Sequence, residues 1–435
     1  MKQYYAIILL LLSACITVNE EPEDPALKKA IENGLLVNEG FQRCIDYVYD
    51  WLGFADPTTG LIPRNLYESR DIWDPKDCAA DNYPFMVLTS AIVDRDLFDG
   101  KMYDILQAEQ KYTNRLDRLP DIYSFSMQDF KYDDINTARI IFGASEYIKD
   151  GLLSLTEYIG KSPWSERMIE ILDDIWKHAE YVTPFGKIPS LNVEVNGELL
   201  QTLSRVYWMT GDEKYLEWAE RLGDYYLLGD HHPTKDFHVL RLRDHGCEIV
   251  SGLCEIYLTV AFSKPSKKIE YQQPIYSMLD RILAVGTNDN GMFYNEINPM
   301  TGDILDNGIA DTWGYTYNAF YSVFMLDNHL PYKEAVLNVL QNLDNYRNFN
   351  WERHGSDGFA DAIESALNLY NREPVSNVDE WVESQIQIMW SIQDSAFRED
   401  LEEWNGRGVI EGWHGDGNFA RTTTMFCLWK TQGIT

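Results

Sequence analysis

The stretch RLRDHGCEIVSGLCEIYLTVAF, residues 241–262, decides how the rest of the chain is read. From Ile249 onward it is apolar on almost every face, with Ser251, Gly252 and Cys254 among the larger residues. A helix facing water keeps a polar side, so one that is hydrophobic all round must be surrounded by protein. Yet this one opens with Arg241, Arg243, Asp244, His245 and Glu248, five ionisable groups at the mouth of a buried element. The question is what gathers them there.

Six further segments share the pattern of an apolar helix rich in small residues: DNYPFMVLTSAIV, DDINTARIIFGASEYI, GELLQTLSRVYWM, TWGYTYNAFYSVFML, FADAIESALNLY and NFARTTTMFCLW. Between them run charged, amphipathic segments such as SPWSERMIEILDDIWKHAEYV, in which Ile169, Leu172, Ile175 and Trp176 recur at helical spacing. The apolar segments start near residues 81, 133, 197, 243, 312, 357 and 417. Their average interval of about 56 residues marks a helical repeat. Strand alternation is nearly absent. A solvated outer helix followed by a buried inner helix, repeated without a linker, predicts an all-α fold: an (α/α) toroid of six to seven helical hairpins in a single domain, residues 31–435.

That arrangement resembles the toroid of six-hairpin glycosidases and related carbohydrate enzymes. The turns before the apolar helices are long and crowded with Gly, Asp, Asn, Trp, Tyr and His, whereas those before the amphipathic helices are short. In a ring the inner helices run parallel, so the long turns converge at one end. The charged residues of 241–248 then line the mouth of a shared pocket, where loops on a rigid scaffold carry function.

With 435 residues, 45% of them hydrophobic, the chain buries a substantial core. A formal charge of −32 makes nucleic acid a poor partner, because a field of that sign repels a polyanion. The N-terminus MKQYYAIILLLLSAC has a cationic residue and an apolar run too short to span a bilayer, which is the pattern of an export signal. Its Leu12-Ser13-Ala14-Cys15 tetrad resembles a bacterial lipobox. This implies a signal peptide over 1–14, a lipid anchor at Cys15, an acidic tether over 15–30, and an exported lipoprotein at the outer membrane, facing the periplasm or the cell surface. No other segment reads as long and uncharged enough to cross a membrane. Cys44, Cys78, Cys247, Cys254 and Cys427 have no CxxC or CxH spacing, so neither a disulfide framework nor a zinc site is indicated. HExxH, GxGxxG, Walker and GxSxG motifs are absent too, and no metal or cofactor is expected.

Glycan hydrolysis commonly uses two carboxylic groups, one protonated and one ionised. Glu248 is the leading candidate for the acid: it follows His245 by three residues on one helical face, before an apolar run that favours a raised pKa. An ion pair with Arg241 or Arg243 is the equally weighted alternative. Asp311 is either an N-cap of the next helix or a second catalytic carboxylate. Glu411 and Asp416 lie in VIEGWHGDGNFAR, where three glycines surround Trp413, His414 and Asp416, with Arg421 following. Trp313, Tyr315, Trp413 and, from the loop RNLYESRDIWDPKDCAADNYP, Trp73 with Asp81, are candidates for touching substrate, since aromatic faces stack on sugar rings. Glu364 should be buried on an inner helix, and a buried carboxylate needs a partner or a task.

The toroid, the lipobox and the aromatic–carboxylate loops together resemble glycan-degrading enzymes of Bacteroidetes, particularly glucuronidase-like and unsaturated-glucuronyl-hydrolase-like members. No complete catalytic motif matches, so no role is transferred residue by residue. The clustered Arg241, Arg243, His245 and Arg421 suit a substrate carboxylate, to which Arg offers a bidentate fork; neutralising their acidic neighbours is the alternative. The expected partner is an oligo- or polysaccharide containing uronic acid, attacked by a glycoside hydrolase. The alternatives are a polysaccharide lyase with Tyr315 or His245 as base, and a glycan-binding lipoprotein without catalysis.

Overall fold

Each apolar segment folds as an inner helix and each amphipathic one as an outer helix of a closed ring. The computed structural model describes residues 24–352, 355–396 and 408–432; the export signal, Cys15 and most of the tether lie outside the described residues. The outer helices are α1 (Pro25–Gly53), α3 (Tyr103–Thr113), α5 (Pro163–Lys177), α7 (Glu213–Leu227), α9 (Pro265–Gly286), α11 (Leu330–Gln341) and α13 (Val378–Ser395). The inner helices are α2 (Tyr83–Val93), α4, α6 (Val193–Thr210), α8 (Glu248–Ser263), α10 (Trp313–Asp327), α12 (Asp357–Tyr370) and α14 (Gly415–Gln432). Helix α4 starts as Thr137–Glu146 and runs through a π-helical turn, Tyr147–Leu153, into Ser154–Ile159. Successive inner helices pack side by side, and α14 packs on α2, which closes a ring of seven hairpins. Helix α1 begins at Pro25, inside the stretch assigned to the tether, with Asp24 capping it.

Local chemistry sets the helix ends. Ser162 and Ser165 form a reciprocal capping box before α5, with Pro163 in the first turn. Asn192 accepts from the amides of Glu194 and Val195 to start α6, and Gly211, at φ 68°, ends it in the left-handed conformation that glycine adopts without strain. The stretch Asp244–Ser263 has the length and hydropathy of a membrane span, which corrects the expectation that no segment beyond the N-terminus does. Its apolar faces are covered by α6, α9 and α10. The strand pairing missed in the sequence sits in the long turns as short antiparallel ribbons. The largest has Tyr294–Asn298 between Leu240–Arg241 and Asp303–Ile309.

Helices α6 and α8 meet at glycine. A Cβ on Gly197 would lie 2.5 Å from the Glu248 carbonyl carbon and 2.5 Å from the Ile249 amide nitrogen. Backbone atoms cannot swing aside as a side-chain tip can. Overpacking such a contact costs about 1–3 kcal/mol, against about 1 kcal/mol gained from helix propensity. Gly197→Ala should therefore lower unfolding stability by about 1 kcal/mol in urea titration; a stabilised variant would show that the two helices separate freely.

Candidate active site

The residues preceding α2, α8, α10, α12 and α14 line one cavity of about 640 Å³ along the ring axis, with Asp81, His245, Thr312, Asp357 and His414 at that end. This places the long turns together as the sequence predicts. Toward the other end the lumen runs to Arg205, which ion-pairs with Glu255 at 2.6 Å and with Glu157 at 3.3 Å.

Two π-helical turns deliver the acidic groups of one wall. Cys78–Asn82 leads into α2 and Tyr147–Leu153 interrupts α4, and the two turns pack together. Their approach is close: a Cβ on Gly151 would lie 2.6 Å from Pro84 Cγ and 2.8 Å from the Ala80 carbonyl oxygen. A π turn inserts an extra residue into helical phase. Lys149 and Asp150, adjacent in sequence, consequently both line the cavity. The sequence reading missed them; the available signal was a Lys–Asp pair inside a largely apolar helix.

Lys149 answers half of the opening question. Its Nζ lies 2.7 Å from Asp150 Oδ1 and 2.5 Å from Glu248 Oε1, while Gln201 Nε2 donates to Glu248 Oε2. Both oxygens of Glu248 are thus occupied. The ion-pair reading of Glu248 is realised, with Lys149 in place of the arginines; Arg241 instead meets Asp244 at 2.5 Å. His245 points Nδ1 between Asp150 Oδ2, at 4.0 Å, and Glu198 Oε1, at 3.9 Å. Burial lowers its pKa, but the charges of Asp150, Asp244, Glu198 and Glu248 prevail and raise it to about 9.

The opposite wall comes from α12 and α14. His414 Nε2 lies 3.9 Å from Asp357 Oδ2, and Asn418 Nδ2 donates to Asp357 Oδ1 at 2.5 Å. Burial opposes ionisation of Asp357, yet His414, Arg421 and Asn418 outweigh it and hold this carboxyl down at about 2. The same neighbour, with Asp81 and Asp77, lifts His414 to about 10 against burial. One turn deeper, Arg421 Nε donates to Glu364 Oε1 at 2.7 Å, and its Nη2 to Asp361 Oδ1 at 3.4 Å. Tyr315 donates to Asp361 at 3.1 Å and to Glu364 at 3.0 Å. Glu364 therefore has the partners its burial demands.

Asp81, on the first of the two π turns, faces the cavity within reach of charges from both walls. A Cβ on Gly417 would collide with the Asp81 carbonyl oxygen, so only glycine lets the start of α14 come this close and set His414 beside Asp81. Among the described residues, no side chain hydrogen-bonds or ion-pairs with the Asp81 carboxyl. Burial, then the charge of Asp150, raise its pKa to about 7, with His414 and His245 pulling the other way.

Other sequence candidates sit elsewhere. Asp416 is fully buried: its Oδ1 accepts from the Ile410 and Glu411 amides at 2.9 and 3.0 Å, and its Oδ2 from Gly412 N–H at 3.1 Å and the Trp51 indole at 3.0 Å. With four donors on it, this carboxylate folds its own loop. Glu411 is wedged against Gly355 and Gly415, and burial followed by Glu352 and Asp416 pushes its pKa far up. Asp311 accepts from the amides of Asp244, at 3.3 Å, and Thr312, at 3.0 Å, and so ties two mouth loops together. Neither Glu411 nor Asp311 lines the cavity. Trp73 and Trp313 are 2% and 0% exposed, which corrects their expected role as stacking faces, since a ring enclosed in the core presents no surface to a sugar. Trp413 is covered by the Arg64 guanidinium, 4.9 Å from its centroid, and by Tyr67.

Comparison with solved structures agrees with this architecture. The cellobiose 2-epimerase from Spirochaeta thermophila DSM 6192 superposes with a TM-score of 0.52 at 10% identity, over 93% of this chain and 98% of that one. The fold is an (α/α) toroid. The cellobiose 2-epimerase from Bacillus thermoamylovorans B4167 matches with a TM-score of 0.50 at 10% identity, over 91% of this chain and all 100% of that one. An inactive variant of the α-1,6-mannanase GH76A of Salegentibacter sp. HEL1_6, in complex with α-1,6-mannotetrose, covers 68% of this chain and 90% of its own at 13% identity, with a TM-score of 0.46. No protein-family model and no curated protein matches the sequence.

Proposed function

We propose that this toroid is a carbohydrate-active enzyme, a glycoside hydrolase in which Asp81 is the general acid and Asp357 the ionised base or nucleophile. One observation carries the reading: two carboxyl groups of a single cavity have environments that drive their pKa values apart, to about 7 and about 2. Such a split is how one site keeps an acid and a base together at neutral pH. Glu248, engaged by Lys149 and Gln201, becomes a positioning residue in this scheme.

A uronate is the substrate class we assign. In a chain of net charge −32 the cavity gathers two imidazolium groups, His245 and His414, and Arg243, whose charge reaches Asp311 beside the mouth loops, makes no ion pair among the described residues. Local cations of this kind select an anionic sugar against the field of the whole. Export and anchoring through Cys15 at the outer membrane belong to the same proposal and rest on the lipobox-like tetrad alone. The lyase alternative with Tyr315 as base is weakened, because a phenol donating to two carboxylates, its pKa raised by burial and by Asp361 and Glu364, is a poor proton acceptor. A second reading, sugar epimerisation, rests on His245 and His414 facing one cavity within a fold shared over 93% of this chain with a cellobiose 2-epimerase, and needs one of the two rings to give up its proton first.

Proton NMR of purified protein with uronate-capped oligosaccharides in D₂O tests these readings together. Hydrolysis releases a new reducing end; epimerisation keeps the linkage and exchanges a ring proton for deuterium; elimination creates an unsaturated uronate that absorbs ultraviolet light. Release of the uronate is expected. No turnover of any uronate glycan would reject the proposal in favour of a binding role.

A further inference from the structure

Behind the cavity wall, Glu146 of α4, Glu194 and Glu198 of α6 and His245 each bring one donor atom to within 4.8 Å of all the others. Acidic clusters are common on a protein of this charge. This one differs because it is buried without being satisfied. Among the described residues, Glu198, 0% exposed, receives no hydrogen bond of good geometry on either carboxylate oxygen, although the Ser145 hydroxyl is close enough to favour its charged form, and Glu146, 2% exposed, receives none on Oε1. The nearby Ser145 hydroxyl donates to the Phe142 carbonyl at 2.8 Å instead. Leaving buried carboxylate oxygens without donors is costly, so each such group calls for an explanation.

The spacing supplies one. His245 Nδ1 and Glu198 Oε1 are 3.9 Å apart, too far for a hydrogen bond. Two ligands on one tetrahedral ion at ordinary bond lengths stand about 3.4 Å apart, so a small contraction seats an ion between them. Lys76 adds positive charge near Glu146 and Glu194, yet among the described residues no ion pair within 4 Å joins it to either. It balances the surplus negative charge of three carboxylates around a divalent ion without occupying the centre. The neighbouring group Asp150, His245 and Glu248 is not equivalent, since Lys149 Nζ already fills it at 2.7 and 2.5 Å.

We propose that Glu146, Glu194, Glu198 and His245 Nδ1 form a binding site for one divalent transition-metal ion. Three carboxylates and an imidazole are a hard-to-borderline donor set, which suits Mn²⁺ or Zn²⁺ better than the all-oxygen shells of Ca²⁺ and Mg²⁺. The ion ties α4, α6 and the turn before α8 together and fixes the His245 ring, with Nε2 left toward Asp244 and the cavity. Ligation replaces the proton on Nδ1, so in the loaded protein the ion, and not an imidazolium, supplies the positive charge on the His245 side of the mouth.

The test uses the purified protein after chelator treatment, titrated calorimetrically with Mn²⁺, Zn²⁺, Ca²⁺ and Mg²⁺, with electron paramagnetic resonance reading bound Mn²⁺. One Mn²⁺ or Zn²⁺ per chain is expected, with affinity at least tenfold above that for Ca²⁺ and Mg²⁺. The melting temperature should rise by about 3 °C at a hundredfold excess over Kd. Glu198→Gln should abolish binding. Glu194→Gln, at a partly exposed position that threatens folding less, should weaken it at least tenfold. Absence of binding at millimolar Mn²⁺ and Zn²⁺, or binding indifferent to Glu194→Gln in a folded variant, overturns the proposal.

Discussion

Replacing Asp81 by Asn should lower kcat on a natural uronate glycoside by about a thousandfold, within the range that a positioned general acid contributes. The fold should survive, because no described side chain leans on the Asp81 carboxyl, and an amide is nearly isosteric with a protonated acid. Two readouts separate the loss of an acid from a general disturbance. Glycosides with activated aryl leaving groups need little protonation, so the same variant should fall only about tenfold on them. The second readout is pH. An acid must carry its proton to work, so the active fraction is full below its pKa of about 7 and shrinks as pH rises through that value. Wild-type kcat/KM should therefore drop about tenfold per pH unit on the alkaline side, and Asp81→Asn should lose that limb. A variant with an unchanged alkaline limb would remove Asp81 from the acid's role.

Asp357→Asn should be as damaging for the opposite reason. At about 2, the wild-type group is ionised throughout the neutral range, so its contribution persists as pH falls until the strongly acidic region is reached. The amide cannot ionise at all. We expect kcat to fall by about 10³ to 10⁴ with no leaving-group dependence of the kind shown by Asp81→Asn. The substitution also removes the partner of His414, whose pKa, now about 10, should move down toward that of an ordinary imidazole. Titration of His414 by NMR in the variant follows that shift independently of turnover. If the His414 pKa falls while kcat is retained, Asp357 serves only to orient the imidazole.

Both carboxylates were within reach of sequence reading, but unequally. Asp81 stands in a long turn before an apolar helix, where the sequence predicts groups that touch substrate. Asp357 opens the helix that carries Glu364, and nothing local in DGFADAIE distinguishes it from Asp361. Glu248 and Asp416 have the local features of functional carboxylates: one begins an apolar helix, the other sits among glycines. Lys149 in the first case, and four donors from Trp51 and the 410–412 backbone in the second, gave them other partners. Those partners are 99 and 365 residues away along the chain for Lys149 and Trp51 respectively.

The ring was legible because helical periodicity is local. Whether a segment is apolar on one face or on all of them can be counted over a few turns, and the alternation of the two kinds, seven times, leaves a closed layer of hairpins as the way to bury the inner set. Even the shared end of the long turns follows from that alternation. Which acid is protonated, which is ionised and which is merely paired was decided only by the tertiary structure. Charge interactions act over distances of several ångströms through space, and Asp81, Asp150, His245, Asp357 and His414 reach one another only after the hairpins close. Two π-helical turns and a glycine contact at Gly417 complete the placement. None of the three leaves a period in the sequence, since each is a local departure from the regular helix that the period describes.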